Sequence, residues 1–146
     1  MDVNYLIRML YSEEAIEAKI AELASIINEK YEGEEIKLIC VLKGSIMITA
    51  ELMKRITLPV MIDFVQCSSY GDKTVSSGNV NVKKWLDESI EGQNVIVVED
   101  IVDTGYTLEF IKNKLLEEKP KNLEILTLLN KQSRRINSLK SDYVGF

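Results

Sequence analysis

Residues 95–107 read Val95-Ile96-Val97-Val98-Glu99-Asp100-Ile101-Val102-Asp103-Thr104-Gly105-Tyr106-Thr107, or VIVVEDIVDTGYT. The apolar run that begins at Asn94 and closes on two acids, NVIVVED, has the continuous hydrophobicity of a strand buried on both faces. It leads through a glycine into a helix predicted for Thr104–Glu118. The same grammar repeats on either side. Upstream, KLICVLKG (Lys37–Gly44) reads as a buried strand ended by glycine. Ser45–Ile56 reads as a helix with Ile46, Ala50 and Met53 on one face, and Pro59 ends that unit. Val60–Ser69 and Val80–Lys84 read as two further strands, separated by the polar stretch YGDKTVSSGN (Tyr70–Asn79), which has the composition of a mobile loop. Downstream, Leu123–Leu129 is a strand and DYVGF (Asp142–Phe146) begins another. Near the start, Ile16, Ile20, Leu23, Ala24 and Ile27 mark one face of a helix over Glu13–Lys30, with Ser12 as its N-cap. Strands alternating with helices predict an α/β single domain, a mainly parallel twisted sheet flanked by helices. Binding sites in such sheets lie at the carboxyl ends of the strands.

The chain has 146 residues, 46% of them hydrophobic and 28% charged, which suits one domain with a sizeable core. No run of eighteen apolar residues suggests a membrane span, and the N-terminus lacks the pattern of a secretory signal, so a cytoplasmic protein is expected. The net charge of −5 and scattered basic residues give no basic face of the kind that nucleic-acid binding uses. Histidine is absent, which excludes Ser-His-Asp and Cys-His arrangements and the common zinc sites. Acid-base chemistry must then rest on carboxylates, lysine or tyrosine. Cys40 and Cys67 each fall in a predicted strand and read as reduced core thiols rather than a disulfide.

Three strand ends carry the chemistry-bearing residues: Leu42-Lys43-Gly44-Ser45, Glu99-Asp100 with Asp103 to Thr107, and Lys131 with Arg134-Arg135. Parallel strands would open all three loops on one edge. In the second loop Thr104 and Thr107 bring hydroxyls, Gly105 permits a tight turn, and the following helix offers its N-terminus, a ready anion site. The glycine spacing is neither a Walker A loop nor GxGxxG, so a single phosphate held by amides and hydroxyls is the better reading. Glu99 and Asp100 can accept hydrogen bonds from sugar hydroxyls or approach a magnesium ion. Asp103-Thr104 taken alone would also serve as a simple N-cap.

The string from Val97 to Thr107 resembles the signature of the type I phosphoribosyltransferases, and more narrowly their 6-oxopurine (hypoxanthine-guanine) branch. Val41-Leu42-Lys43-Gly44-Ser45 resembles that family's pyrophosphate loop and Ser68-Ser69-Tyr70-Gly71 its flexible loop. Leu128-Leu129-Asn130-Lys131 with Arg135 resembles the purine-contacting segment, and Asp142 to Phe146 the strand after it. The resemblance implies the type I phosphoribosyltransferase fold. It also implies an enzyme of purine salvage that transfers the phosphoribosyl group of phosphoribosyl pyrophosphate to hypoxanthine or guanine, giving IMP or GMP and pyrophosphate. Roles carry over by position. Glu99 and Asp100 would bind the ribose hydroxyls, directly or through Mg2+. Asp103 would be the general acid/base at purine N7. Thr104, Gly105, Tyr106 and Thr107 would grip the 5-phosphate. Lys43, Gly44 and Arg135 would contact pyrophosphate, with the peptide before Lys43 cis. Lys131 would hydrogen-bond the exocyclic O6, and Ser69 and Tyr70 would close over the reacting centre.

The resemblance also implies a further C-terminal segment carrying part of the base pocket. Residues 1–146 are therefore expected to be a phosphoribosyltransferase domain whose base-binding segment is missing. A homodimer or homotetramer is expected on the same ground. The alternative is a non-catalytic protein of the same fold that binds nucleotide or phosphoribosyl pyrophosphate. Small molecules, not nucleic acid or membrane, are the expected partners in either case.

Overall fold

The computed structural model describes residues 7, 9–69 (Ser69 by its backbone alone), 80–102, 105–131 and 139–146. The apolar runs form strands β1 (Ile36–Val41), β2 (Val60–Ser69), β3 (Val80–Lys84), β4 (Asn94–Val102), β5 (Asn122–Asn130) and β6 (Tyr143–Val144). Between them lie helices α1 (Glu13–Lys30), α2 (Ile46–Arg55) and α3 (Tyr106–Leu116). The sheet order is β3-β2-β1-β4-β5-β6. β2, β1, β4, β5 and β6 run parallel, and β3 joins β2 antiparallel at the edge.

The run Val95–Val98 shows why continuous hydrophobicity was needed. Successive strand residues face opposite sides of the sheet. Ile96 and Val98 join Leu38, Leu126 and Leu128 in a core under Ile20, Leu23, Ala24 and Ile27 of α1 and Ile48 and Leu52 of α2. Val95 and Val97 join Ile39, Val65 and Ile125 in a second core under Leu108, Ile111 and Leu115 of α3. The mainly parallel α/β architecture expected from the sequence is the one observed. Ser12 caps α1 by accepting the Ala15 N–H at 3.1 Å, and both cysteines are free thiols.

Two of the boundaries that differ from the sequence expectation bear on the site. β4 continues past Asp100 to Val102, because Ile101 and Val102 keep pairing with Leu129 and Asn130 of the long strand β5. α3 starts at Tyr106, not Thr104, because Gly105 adopts a left-handed conformation (φ 86°) at the N-cap position. A glycine enters that region without steric cost, and it redirects the chain from strand to helix.

At the opposite end of β5, Glu124 ties the edge strand to α1. Its carboxylate accepts hydrogen bonds from Tyr31 at 2.5 Å and Tyr143 at 2.6 Å, and pairs with Lys30. Burial by itself would raise the Glu124 pKa. Hydrogen bonds from Lys30, Tyr143 and Tyr31 outweigh that effect and hold it below the ordinary value of 4.5. The folded-state pKa therefore lies below the unfolded one, and the stabilisation is complete above 4.5 and lost as pH falls below it. Glu124→Ala, which leaves two tyrosine hydroxyls without their acceptor, is expected to cost about 2 kcal/mol in urea unfolding at neutral pH. The loss should shrink markedly at about pH 3, where the wild-type carboxyl is also neutralised. An equal loss at both pH values would contradict an ionic role for Glu124.

Candidate active site

The strand order reverses between β1 and β4: β2 and β3 lie to one side, β5 and β6 to the other. Chains leaving two such neighbouring strands diverge and leave a crevice at their carboxyl ends. The loop after β1, the end of β4 with the start of α3, and Lys131 after β5 all open there, because the three strands are parallel.

The loop after β1 is stapled by its own backbone. Leu42 N–H donates to Val65 O at 2.8 Å, and Ile46 N–H to Lys43 O at 3.2 Å. The buried Ser45 hydroxyl donates to Val41 O at 2.6 Å, while Ser45 O accepts the Thr49 hydroxyl at 2.7 Å. The Leu42–Lys43 peptide is cis, as the resemblance implied. Lys43 stands exposed at the tip.

Glu99 and Asp100 follow the continuously buried run Asn94–Val98 of β4. Glu99 Oε1 accepts the Asp100 N–H at 3.1 Å, and Asp100 Oδ1 accepts the Ile101 N–H at 2.8 Å. Asp100 is only 3% exposed. Its other oxygen, Oδ2, is buried with no hydrogen-bond partner among the described residues. An orphaned carboxylate oxygen in the crevice is an open valence for a hydroxyl or a hard cation. Glu99 lines a recess of about 180 Å³ together with Ile101, Val102, Gly105, Tyr106, Thr107 and Leu108. The recess sits at the N-terminus of the eleven-residue helix α3, where the helix dipole favours an anion. Lys131 is brought beside it because its N–H donates to Val102 O at 2.9 Å.

Lys43, Gly44, Glu99, Asp100, Gly105, Tyr106, Thr107 and Lys131 are thus brought to one sheet edge. Tyr70, Asp103, Thr104 and Arg135 lie outside the described residues, and Ser69 is described only as the backbone end of β2. Sequence reasoning missed Ile101 and Val102, which wall the recess; it had placed them in a loop, and only their pairing with β5 shows otherwise. It also missed Ser45 as the residue that fixes the first loop, since a buried serine after a Lys-Gly pair has no distinguishing sequence pattern. No group of three or more His, Cys, Asp or Glu gathers among the described residues. Glu99 and Asp100 are the pair that could hold a metal ion, with ligand oxygens completing its coordination.

The sequence matches the family "Phosphoribosyl transferase domain" over residues 7–146. It is 41% identical over 139 residues to the hypoxanthine-guanine phosphoribosyltransferase of Bacillus subtilis, covering 95% of this chain and 77% of that one. It is 39% identical over 143 residues to the bifunctional protein TilS/HprT of Listeria innocua, covering 98% of this chain but 22% of that longer protein. Among solved structures, a hypoxanthine-guanine phosphoribosyltransferase of Bacillus anthracis superposes with a TM-score of 0.88 at 49% identity, over 92% of this chain and 80% of that one.

The acid pair has a consequence for stability. Burial raises the Glu99 carboxyl well above its ordinary range and the negative charge of Asp100 raises it further, outweighing the Asp100 N–H that Glu99 accepts. The folded-state pKa then exceeds the unfolded one. The associated stability is fully present below the ordinary value of 4.5 and lost as pH rises through the folded value. Glu99→Gln is expected to raise the thermal midpoint by a few degrees at about pH 8, with the gap closing toward 4.5. A variant less stable than wild type at pH 8 would show that the carboxylate is stabilised in the ligand-free fold.

Proposed function

The chain belongs to the phosphoribosyl transferase family, and from that premise we propose that its crevice transfers the phosphoribosyl group of phosphoribosyl pyrophosphate to hypoxanthine or guanine. IMP or GMP and pyrophosphate are the products, as in purine salvage. The observation that carries this reading is the meeting of three unlike groups at one edge: a helix-terminal recess, an acid pair of half-buried Glu99 and buried Asp100, and a backbone-stapled lysine loop. A nucleotide precursor with a 5-phosphate, ribose hydroxyls and a pyrophosphate leaving group presents the matching three parts.

In this assignment the recess at Gly105 to Thr107, with Thr104, receives the 5-phosphate. Glu99 and Asp100 face the ribose and accept hydrogen bonds from its hydroxyls. Lys43, the Gly44 backbone and Arg135 contact pyrophosphate, and Lys131 donates to the O6 of the base. A 6-oxo group accepts that hydrogen bond whereas the 6-amino group of adenine does not, so the lysine selects oxopurines. Asp103 moves the proton at purine N7. Ser69 and Tyr70 cover the reacting centre and exclude water, which would otherwise hydrolyse the activated sugar. The residues fit a magnesium ion: Asp100 Oδ2 is a buried acceptor without a partner among the described residues, and two carboxylates plus ligand oxygens make a typical set of hard donors. When bound there, magnesium would supply charge neutralisation for the pyrophosphate as it departs.

A cytoplasmic homo-oligomer is part of the same proposal. Ile46 and Met47, 51% and 48% exposed at the start of α2, offer apolar surface for self-association. No helix among the described residues is long and apolar enough to cross a membrane.

Two measurements test the reading. Incubated with phosphoribosyl pyrophosphate and magnesium, the chain is expected to convert hypoxanthine or guanine to nucleotide and to leave adenine unchanged. GMP or IMP with magnesium should also raise the thermal midpoint by mass action, with about 2.7 kcal/mol of stabilisation at a hundredfold excess over Kd. Binding without product would favour the non-catalytic alternative, and no binding would overturn both. Asp103→Asn is expected to lower kcat by about 100-fold or more, while leaving phosphoribosyl pyrophosphate affinity within a few fold. Equal losses in both would remove Asp103 from proton transfer.

A further inference from the structure

We infer that Gly44 is a positioning residue for the Asp100 carboxylate. The missing side chain at 44 is what lets the first loop and the acid pair occupy one site. This rests on the function proposed above and adds a mechanical link between two parts of it that the sequence treats as separate motifs.

The geometry is specific. A Cβ placed on Gly44 would lie 2.3 Å from Asp100 Oδ2, 2.9 Å from Cγ and 3.1 Å from Oδ1. Gly44 is not among the glycines with positive φ, which among the described residues are Gly33, Gly92 and Gly105. Its backbone conformation is therefore open to other residues, and the demand at this position is for space alone. Movement of either partner is resisted. Asp100 is 3% exposed and its Oδ1 is held by the Ile101 N–H. On the other side the loop is anchored at Leu42, Lys43 and Ser45 by bonds to Val65 O, from Ile46 N–H, and to Val41 O.

A methyl group at 44 therefore displaces the carboxylate, and Oδ2 is the atom struck first. That atom is also the buried acceptor that has no hydrogen-bond partner among the described residues. The ligand group that loses its contact is a ribose hydroxyl or a divalent cation bound through that oxygen. This differs from a role in which Gly44 only offers its backbone to pyrophosphate. The difference is readable with GMP, a ligand that contains ribose and phosphate but no pyrophosphate.

The test is a double-mutant cycle of Gly44→Ala and Asp100→Ala, followed by thermal unfolding and by GMP titration with magnesium. In the wild-type background Gly44→Ala is expected to lower the thermal midpoint by about 4 °C or more, and to weaken GMP binding roughly tenfold. In the Asp100→Ala background, where the obstructing carboxylate is gone, the same methyl should change neither. Such non-additivity is the signature of direct coupling. Equal effects of Gly44→Ala in both backgrounds would overturn the inference. So would unchanged GMP binding by Gly44→Ala in the wild-type background. If Gly44→Ala fails to fold, recovery of folding in the double variant supports the link, and failure of both overturns it. A wild-type chain without any GMP response would instead overturn the proposed function, and the unfolding cycle would then decide the coupling alone.

Discussion

The parallel ladder between β1 and β4, Lys37 to Cys40 beside Val95 to Val98, is the constraint on which the rest depends. It places the reversal of strand order at the centre of the sheet. From there the chain after β1 turns into α2 on one face, and the chain after β4 turns into α3 on the other. Divergence of these two exits produces the crevice. The ladder is held by burial on both faces: every residue of β1 is buried, and so are the first five of β4. A slip of one residue would exchange the two faces of both cores, so the register that builds the interior also aligns the strand ends.

Hydrophobic burial of that completeness explains how two adjacent acids can be tolerated at the end of β4. Neither Glu99 nor Asp100 improves the ligand-free fold. Burial pushes the Glu99 carboxyl upward, and Asp100 keeps a buried oxygen without a partner among the described residues. Buried polar groups are normally hydrogen-bonded, so an unmet one in a crevice marks a site where stability has been yielded to ligand binding. The apolar residues immediately before the acids offset the cost locally.

Much of this was legible in the sequence because the decisive features are local. The runs IKLICV and NVIVVED carry their own strand signal, and Gly105 announces the turn at the phosphate recess. Other features depend on residues far apart in the chain. Glu124 meets Tyr31 across 93 positions, and no periodicity signals a half-buried carboxylate shared by two tyrosines and a lysine. The extension of β4 to Val102 is imposed by β5, a neighbour whose reach cannot be read from VIVVED itself. Gly44 was legible as part of a ligand loop. Its packing against Asp100, 56 positions later, is a matter of tertiary space and leaves no trace in either motif.

The site is assembled by the main chain, and this bears on how its charges are kept available. Leu42 N–H reaches Val65 O, Ile46 N–H reaches Lys43 O, and Lys131 N–H reaches Val102 O. With the loops fixed this way, the lysine side chains are not needed as struts. Neither Lys43 nor Lys131 forms an ion pair among the described residues, although Glu99 and Asp100 stand at the same sheet edge. Had either lysine closed onto an acid, a ligand would have to break that pair before using its members. Cations and carboxylates held apart by backbone anchors instead meet a ligand already oriented, which lowers the reorganisation that binding and reaction require. A substrate carrying both phosphate oxygens and hydroxyl donors satisfies the two sets at once. The separation of charge that weakens the ligand-free fold is thus the same feature that lets one crevice hold two chemically opposite ends of a molecule.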